Sequence, residues 1–206
     1  MRYTGPRNRI ARREGIDLGL KTVGTKAHGR LLRKINISPG QHGTKRKRKS
    51  SEWAVQLREK QKLRYLFGLT EKQLKKYFKT AKEKPGNTKF YLAQSLEKRL
   101  DNIVYRLGLA PTRASARQLI THRHIKINDK VVNIPSYQVS VGEKIGFSKE
   151  KTMKIPYIEK QLTNKDIFLP IWLKRQAVVG KLMAEPTEEQ ISKQINLRLV
   201  IEYYSR

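Results

Sequence analysis

The sequence predicts an α+β fold, and three observations along the chain lead to that prediction. The first fifty residues are basic and glycine-rich, with little apolar periodicity. Residues 51–120 place apolar side chains at helical spacing, whereas residues 124–148 alternate apolar and polar side chains as strands do. We therefore expect a mostly helical part and a small antiparallel sheet behind an extended basic N-terminal arm.

The charge of the chain indicates the class of its partner. Lys and Arg number 46 against 17 Asp and Glu, so the formal net charge is +29. Such an excess repels itself unless a polyanion neutralises it, which favours nucleic acid first and an acidic membrane surface second. A membrane is the less favoured partner, because no apolar run approaches the roughly 20 residues that span a bilayer. The chain has no cysteine, which excludes disulfides, thiol catalysis and cysteine-based zinc sites.

The N-terminal segment of residues 1–50 is the most basic part of the chain. It holds fifteen Lys and Arg against Glu14 and Asp17, and it ends in five consecutive cations at 45–49. Two interpretations stay open: a disordered basic tail, or an extended arm that becomes ordered along phosphates. Residues 39–43, with two glycines, would let the backbone approach phosphate closely, although a plain turn uses the same residues.

Helices are predicted between residues 51 and 121 from their caps and apolar stripes. Ser51 begins the first helix, and Thr70 begins the second with a capping box. Leu92 to Leu107 form a third stripe, which is one helix or, if the chain breaks near Lys98, two. Thr112 begins a short helix.

The pattern changes to period two beyond His124. Ile125–Ile127 and the residues after the turn at 128–130 are predicted strands, and further strands are predicted around Val139/Val141 and Ile145/Phe147. The alternation of apolar residues at 197–203 predicts a terminal strand.

Eight sequence motifs occur in the same order as in one known family. They are RYTGP at 2–6, ARREG at 11–15, PGQHG at 39–43, QLREKQK at 56–62, RLDNIVYRLG at 99–108, ARQL at 116–119, VNIPSY at 132–137 and EYYSR at 202–206. Through these motifs the chain resembles, over essentially its whole length, the bacterial-type S-four family of small ribosomal subunit proteins.

The resemblance implies a domain division and a function. The division is a basic arm at 1–50, a helical domain at 51–94 plus 170–206, and an inserted S-four-type RNA-binding module at 95–169. The implied function is a structural component of the small ribosomal subunit that binds rRNA early in assembly, at a junction in the 5′ domain. It would lie near the mRNA entry path and influence translational accuracy. The implied partners are rRNA, mRNA and neighbouring proteins of the S-three and S-five families, in a cytoplasmic or organellar ribosome and without a membrane.

One departure from the family concerns zinc. Many members hold zinc with a cysteine cluster near the amino terminus, whereas Asn8 and Ala11 stand at the positions of the first cysteine pair here. His28 and His42 do not replace four thiolates, because closed zinc sites need four ligands at short spacing. We therefore expect no metal and no cofactor, and an arm that rRNA orders.

Recognition of folded RNA would run through shape, phosphates and 2′-hydroxyls, because the A-form major groove is too narrow for side chains. Cations on rigid elements suit that task. Arg113 and Arg117 lie at i and i+4, so we expect them to share an exposed face away from the core. A solvated charged face is the plainer interpretation of any single cation. The candidate RNA-binding residues are Arg2, Arg12, Arg13, Gln41, His42, Lys45, Arg46, Lys47, Arg48, Arg58, Lys62, Arg64, Arg99, Asn102, Arg106, Arg113, Arg117, His122, Arg123 and Lys126.

The sequence allows two further interpretations, one of its aromatic residues and one of its function. Tyr65, His42 and Tyr137 are candidates for stacking on unpaired bases, with core packing as the alternative for both tyrosines. The runner-up function is an RNA-modifying enzyme, such as a pseudouridine synthase, that carries the same module. Residues 99–101 resemble the Arg-Leu-Asp of such an enzyme but lack its small-residue context, and no phosphate loop, catalytic triad or metal motif occurs. We therefore predict a non-catalytic protein.

Overall fold

The computed structural model describes residues 3–45, 49–163, 168–187, 191 and 193–206. The chain forms two compact units: a helical unit of Met1–Leu92 with Glu189–Arg206, and a sheet unit of Ala93–Glu188. The α+β class is confirmed. The division differs from the predicted one, because residues 1–50 form part of the helical unit and residues 170–187 form part of the sheet unit.

The elements of the described residues, in chain order, are α1 (Arg7–Glu14), α2 (Lys26–Arg33), α3 (Glu52–Leu66), α4 (Glu71–Lys82), α5 (Thr88–Glu97), α6 (Leu100–Arg106), α7 (Arg113–Thr121), β1 (Ile125–Ile127), β2 (Lys130–Val131), β3 (Lys144–Phe147), α8 (Pro156–Thr163), β4 (Leu173–Gln176), β5 (Val179–Leu182) and α9 (Leu197–Ser205). A single 3₁₀ turn, Glu150–Thr152, precedes α8. None of the described helices is long and apolar enough to cross a membrane.

The N-terminal segment contains two helices where the sequence predicted an extended arm. Helix α1 ends at Gly15, whose left-handed backbone (φ 71°) lets its N–H bond the carbonyl of Ala11 at 2.8 Å. Helix α2 begins at Thr25, whose hydroxyl accepts from the N–H of His28. Ala11 and Leu31 are buried. The short helices were missed because each has only a few apolar residues among many cations.

Two helices of the helical unit, α3 and α4, begin at predicted caps. Ser51 caps α3, and Thr70 forms the predicted capping box with Gln73 at the start of α4. The predicted terminal strand is wrong, because residues 197–205 form helix α9. Leu197 and Val200 of α9 are buried, and its Tyr204 stacks on Phe78 of α4 with ring centroids 5.0 Å apart.

The sheet unit combines helices α6 and α7 with a five-stranded antiparallel sheet in the order β2-β1-β3-β5-β4. The predicted strands at Ile125–Ile127 and Ile145/Phe147 are confirmed. Val139 is buried, but its segment forms only an isolated bridge between Gln138 and Arg99 instead of the predicted strand. Strands β4 and β5 were not predicted.

The core of the sheet unit lies between its helices and one face of the sheet. Leu100, Ile103 and Leu107 of α6 and its C-terminal end are buried in it, as are Ile125 and Ile145 of the sheet.

Strand β5 lies so close to the C-terminal end of α6 that position 180 requires glycine. A Cβ at Gly180 would overlap the side chain of Leu107. This approach brings β5, and β4 beside it, against the same core as α6.

Of the two alternatives for residues 92–107, the structure shows two helices with a break near Lys98, since α5 ends at Glu97 and α6 begins at Leu100. A downstream loop bonds the backbone groups at this break. The N–H of Leu100 donates to the carbonyl of Tyr137 at 2.9 Å, and the N–H of Val139 donates to the carbonyl of Lys98 at 2.9 Å. The break thereby places the polar side chains of residues 97–102 side by side at the start of α6.

Candidate nucleic-acid interface

The predicted arginines of the sheet unit converge on two buried carboxylates. We call this group the arginine cluster, and its members are Arg99, Arg106, Arg113, Arg117, Glu97, Asp101 and Asn102. All of them lie on α6, on α7 or at the break before α6.

Asp101 is the first of the two carboxylates. Arg99 donates through Nε and Nη2 to its two oxygens at 3.0 and 2.7 Å. Arg117 donates through Nε and Nη2 to its Oδ2 at 3.1 and 2.6 Å. The side chains of Arg99 and Asp101 are each only 2% exposed. Asp101 therefore links α7 to the start of α6 through charge-assisted hydrogen bonds.

Glu97 is the second carboxylate, and its side chain is fully buried. Arg106 donates to its two oxygens at 3.2 and 2.6 Å, and Asn102 donates from Nδ2 to Oε2 at 2.6 Å. Asn102 in turn accepts from Nε of Arg113 at 2.9 Å. The guanidinium of Arg113 lies over the ring of Tyr105, 4.4 Å from its centroid.

These contacts correct two expectations. Arg113 and Arg117 do not project freely from an exposed face: both are partly buried and bonded to residues of α6. Arg99 and Asn102 are buried rather than on a solvent-facing side, so they position the other members of the cluster. The i, i+4 spacing gave the shared face correctly, but a neighbouring helix with carboxylates covers that face.

The cluster carries more positive than negative charge. It contains four guanidinium groups and two carboxylates: Arg99 and Arg117 pair with Asp101, and Arg106 pairs with Glu97. Burial, together with the neighbouring charge of Arg106, lowers the pKa of Arg113 to about 10. Arg113 is still protonated at neutral pH. The side chains of Arg106 and Arg117 are each 16% exposed, so part of this fixed positive charge reaches the surface.

The turn after α7 adds exposed cations to the sheet unit. His122 and Arg123 are exposed, and Arg123 has a left-handed backbone (φ 61°) whose carbonyl accepts from the hydroxyl of Ser148 at 2.8 Å. Lys126 on β1 is partly buried and pairs with Asp129 at 3.0 Å.

The candidates of the helical unit divide into exposed and bonded residues. Arg13, Gln41, His42 and Lys45 are exposed. Arg12 instead donates to the carbonyls of residues 34, 37 and 38, so it holds the loop after α2 in place.

Three candidates on α3 also have partners within the helical unit. Arg58 pairs with Glu14 at 3.2 Å, Lys62 pairs with Glu59 at 2.6 Å, and Arg64 lies over the ring of Tyr65. Arg2, Arg46, Lys47 and Arg48 lie outside the described residues.

One cationic feature of the helical unit was missed. A depression of about 230 Å³ is lined by Asn8 and Arg12 of α1 and by Arg30, Arg33 and Lys34 at the end of α2. The sequence signal was present, because Lys26, Arg30 and Arg33 lie at i, i+4 and i+7 of one helix face. It was overlooked because the segment was expected to be extended.

The residues at the positions of the family's first cysteine pair have structural roles here. Asn8 donates to the carbonyl of Ala27 at 3.0 Å, and Ala11 is buried. His28 Nε2 lies 2.7 Å from Asp17 Oδ2. Among the described residues, no group of three His, Asp or Glu side chains is arranged to hold a metal ion. Direct hydrogen bonds thus connect the elements of this segment.

The two candidate stacking tyrosines are engaged within the protein. Tyr137 donates to Glu143 at 2.8 Å, and this hydrogen bond raises the pKa of Tyr137. The ring of Tyr65 packs edge-on against Tyr3, with centroids 6.1 Å apart.

Comparison with known proteins places the chain in a family. Residues 2–97 match the family described as ribosomal protein S4/S9 N-terminal domain, and residues 98–145 match the S4 domain. The small ribosomal subunit protein uS4 of Parabacteroides distasonis is 45% identical over 207 residues, covering 100% of this chain and 99% of the relative. The proteins of the same name from Cytophaga hutchinsonii and Laribacter hongkongensis are 43% and 41% identical with the same coverage. Because the identity spans both units, the chain belongs to the uS4 family of small ribosomal subunit proteins.

Proposed function

We propose that this ribosomal protein binds small-subunit rRNA directly, through the arginine cluster and the turn at 122–124, as an early assembly protein. The family membership makes it a structural constituent of the small subunit and not an enzyme, so the RNA-modifying alternative is dropped. The finer role is the proposal. It comprises a junction in the 5′ domain as binding site, a position near the mRNA entry path and an influence on translational accuracy.

The observation that carries the proposal is the charge imbalance of the arginine cluster. Asp101 and Glu97 hold three guanidinium groups in place and Asn102 accepts from the fourth, that of Arg113, so the cluster has four guanidinium groups for two carboxylates. Side chains that are already ordered lose less conformational entropy on binding. The planar guanidinium also matches phosphate with two parallel hydrogen bonds. A folded RNA junction concentrates phosphates, so a rigid surface with surplus arginine charge suits it.

The exposed residues of the turn extend this surface. Arg123 and His122 protrude at the end of α7, and Arg106 and Arg117 reach the surface on α6 and α7. In the helical unit, the depression at Arg30, Arg33 and Lys34 offers a second group of cations. Neighbouring proteins of the S-three and S-five families and mRNA are proposed partners in the assembled subunit.

The substitution Arg123→Gln tests the proposal without disturbing the arginine cluster. The side chain of Arg123 is exposed, so the fold should be unchanged, while one phosphate contact is lost. We expect weaker binding to a transcript of the rRNA 5′ domain. The slope of log K against log salt should fall by about 0.7–0.9, as expected for one contact.

Arg198→Gln is the matched control. Arg198 lies on α9 with a side chain that is 83% exposed, so the same charge is removed far from the proposed surface in sequence. Equal losses for both variants would mean that only net charge matters. Wild-type protein that binds the transcript no better than unrelated RNA of equal length would overturn the proposed function.

A further inference from the structure

The outward face of the sheet carries three lysines side by side. Lys144 of β3 lies opposite Lys181 of β5, and Lys181 lies opposite Lys174 of β4. Directly opposed residues of antiparallel strands project from the same face. Neighbouring strands are about 4.8 Å apart, so the outer two Cα atoms are separated by about 10 Å. We call these residues the lysine row.

The lysine row lacks a balancing charge. The five strands contain six Lys or Arg residues and no Asp or Glu. The nearest acidic residues in sequence have other partners: Glu143 accepts from Tyr137 and from the N–H of Ser140, and Glu185 accepts from Lys98 and Gln94. Within the described part of the chain, the row forms no ion pair. Like charges directly opposite each other weaken strand pairing, so the row opposes folding unless an anion binds there.

The surface around the row is open to a ligand. Lys144 and Lys174 are exposed and Lys181 is partly buried. The three residues line a depression of about 270 Å³ whose floor includes Gly180 of β5.

The same face of the sheet continues toward the proposed RNA surface. Gly146, two residues along β3 from Lys144, lies opposite Lys126 of β1. Lys126 is one of the candidate RNA-binding residues, so the row continues a basic face from β1 to the far edge of the sheet at β4.

We propose that the lysine row binds the sugar–phosphate backbone of rRNA as a second contact of the sheet unit, a proposal that rests on the proposed function. RNA presents one negative charge per nucleotide in a continuous line, which a line of evenly spaced cations matches. Lysine is a point charge on a flexible stem, and it follows a backbone without reading bases. An acidic protein segment is the other class of partner, and the continuity of the row with Lys126 favours RNA.

The triple variant K144Q/K174Q/K181Q tests the lysine row in the full-length protein. With a transcript of the rRNA 5′ domain, we expect the slope of log K against log salt to fall by about 2–3, since each lost contact removes about 0.7–0.9. The matched control is K151Q/K154Q/K160Q, which removes three exposed lysines from the same unit. The control should leave the slope nearly unchanged. A slope that falls equally in both variants, or in neither, overturns the proposal.

Chemical footprinting of the wild-type protein gives an answer that does not depend on the variant folding. An amine-reactive reagent should label the three lysines in the free protein and label them several-fold less in the complex with the transcript. Protection that appears only in the assembled subunit, and not with RNA alone, would assign the row to a neighbouring protein and overturn the proposal. If Arg123→Gln binds the transcript more weakly than the wild type while the triple variant binds it equally well, the lysine row is overturned and the proposed function still stands.

Discussion

Replacing Asp101 with asparagine tests whether the arginine cluster depends on its buried carboxylate. Asparagine keeps the size of the side chain but removes the charge that Arg99 and Arg117 share. Its amide group also directs N–H donors at guanidinium groups that are themselves only donors. Arg99, which is 2% exposed, then keeps its charge without its carboxylate partner.

The expected loss of stability is large. Removing one partner from a buried ion pair typically costs about 3–5 kcal/mol, because the remaining charge stays buried. For a unit of about one hundred residues, each kcal/mol shifts the unfolding midpoint by about 4–8 °C. We therefore expect Asp101→Asn to lower the midpoint of the sheet unit by more than about 10 °C, measured by calorimetry or circular dichroism.

Asp129→Asn is the matched control within the same unit. Asp129 pairs with Lys126, but its side chain is 89% exposed, and exposed pairs contribute about 0–1 kcal/mol. Asp129 also has a left-handed backbone (φ 70°), which asparagine tolerates well. An unfolding midpoint of Asp101→Asn within about 2 °C of the wild type would contradict a structural role for the buried carboxylate. An equal decrease of the midpoint in Asp129→Asn would contradict it as well.

Two further predictions concern stability. Burial raises the pKa of Glu14 despite the nearby Arg58, so ionised Glu14 opposes folding. The wild type should therefore become less stable as the pH rises above about 4.5, and Glu14→Gln should not show this decrease. At Glu71, burial also works against ionisation, but hydrogen bonds from Tyr204 and Lys60 outweigh it and lower the pKa. The wild type should therefore gain stability from Glu71 above about pH 4.5 and lose it in acid, and Glu71→Gln should remove this gain. Urea titrations across this pH range measure both variants; a change in the free energy of unfolding of the same sign for both would contradict the opposite pKa directions of Glu14 and Glu71. Gly180→Ala should destabilise the sheet unit by about 1–3 kcal/mol through overlap with Leu107. Gly146→Ala, whose Cβ meets only ordinary contacts, should be nearly neutral in the same thermal melts.

Features that depend on a few neighbouring residues could be predicted from the sequence. The caps at Thr70 and Thr112 are local hydrogen bonds between residues three apart, and both form as expected. The turn before Lys130 rests on Asn128 and Asp129, the residue types that tolerate positive φ, and both adopt it.

Features that depend on the opposing element could not be predicted in this way. Residues 197–205 show apolar spacing compatible with both a strand and a helix, and burial of Leu197 and Val200 against the helical unit favours the helix. Likewise, spacing on α7 shows that Arg113 and Arg117 share a face, but it does not show that Asp101 and Asn102 lie opposite. The burial of Arg99 and Asn102 beneath the other members of the cluster could not be predicted from spacing either.

The two units differ in how their parts are arranged along the chain, and this has a consequence for synthesis. The sheet unit is one continuous stretch, Ala93–Glu188, whereas the helical unit needs both ends of the chain. Helix α3 bonds to residues of the C-terminal segment: Gln56 donates to Glu202 at 3.2 Å, and Glu59 accepts from the N–H of Asn196 at 3.0 Å.

A nascent chain emerges from its amino terminus, and each unit folds once all of its residues are available. Helices α1 to α4 emerge before the sheet unit but lack α9 until residues 197–205 have emerged. The sheet unit has its whole core as soon as β5 has emerged. The sheet unit, in the middle of the sequence, is therefore complete before the helical unit, which contains the first residues.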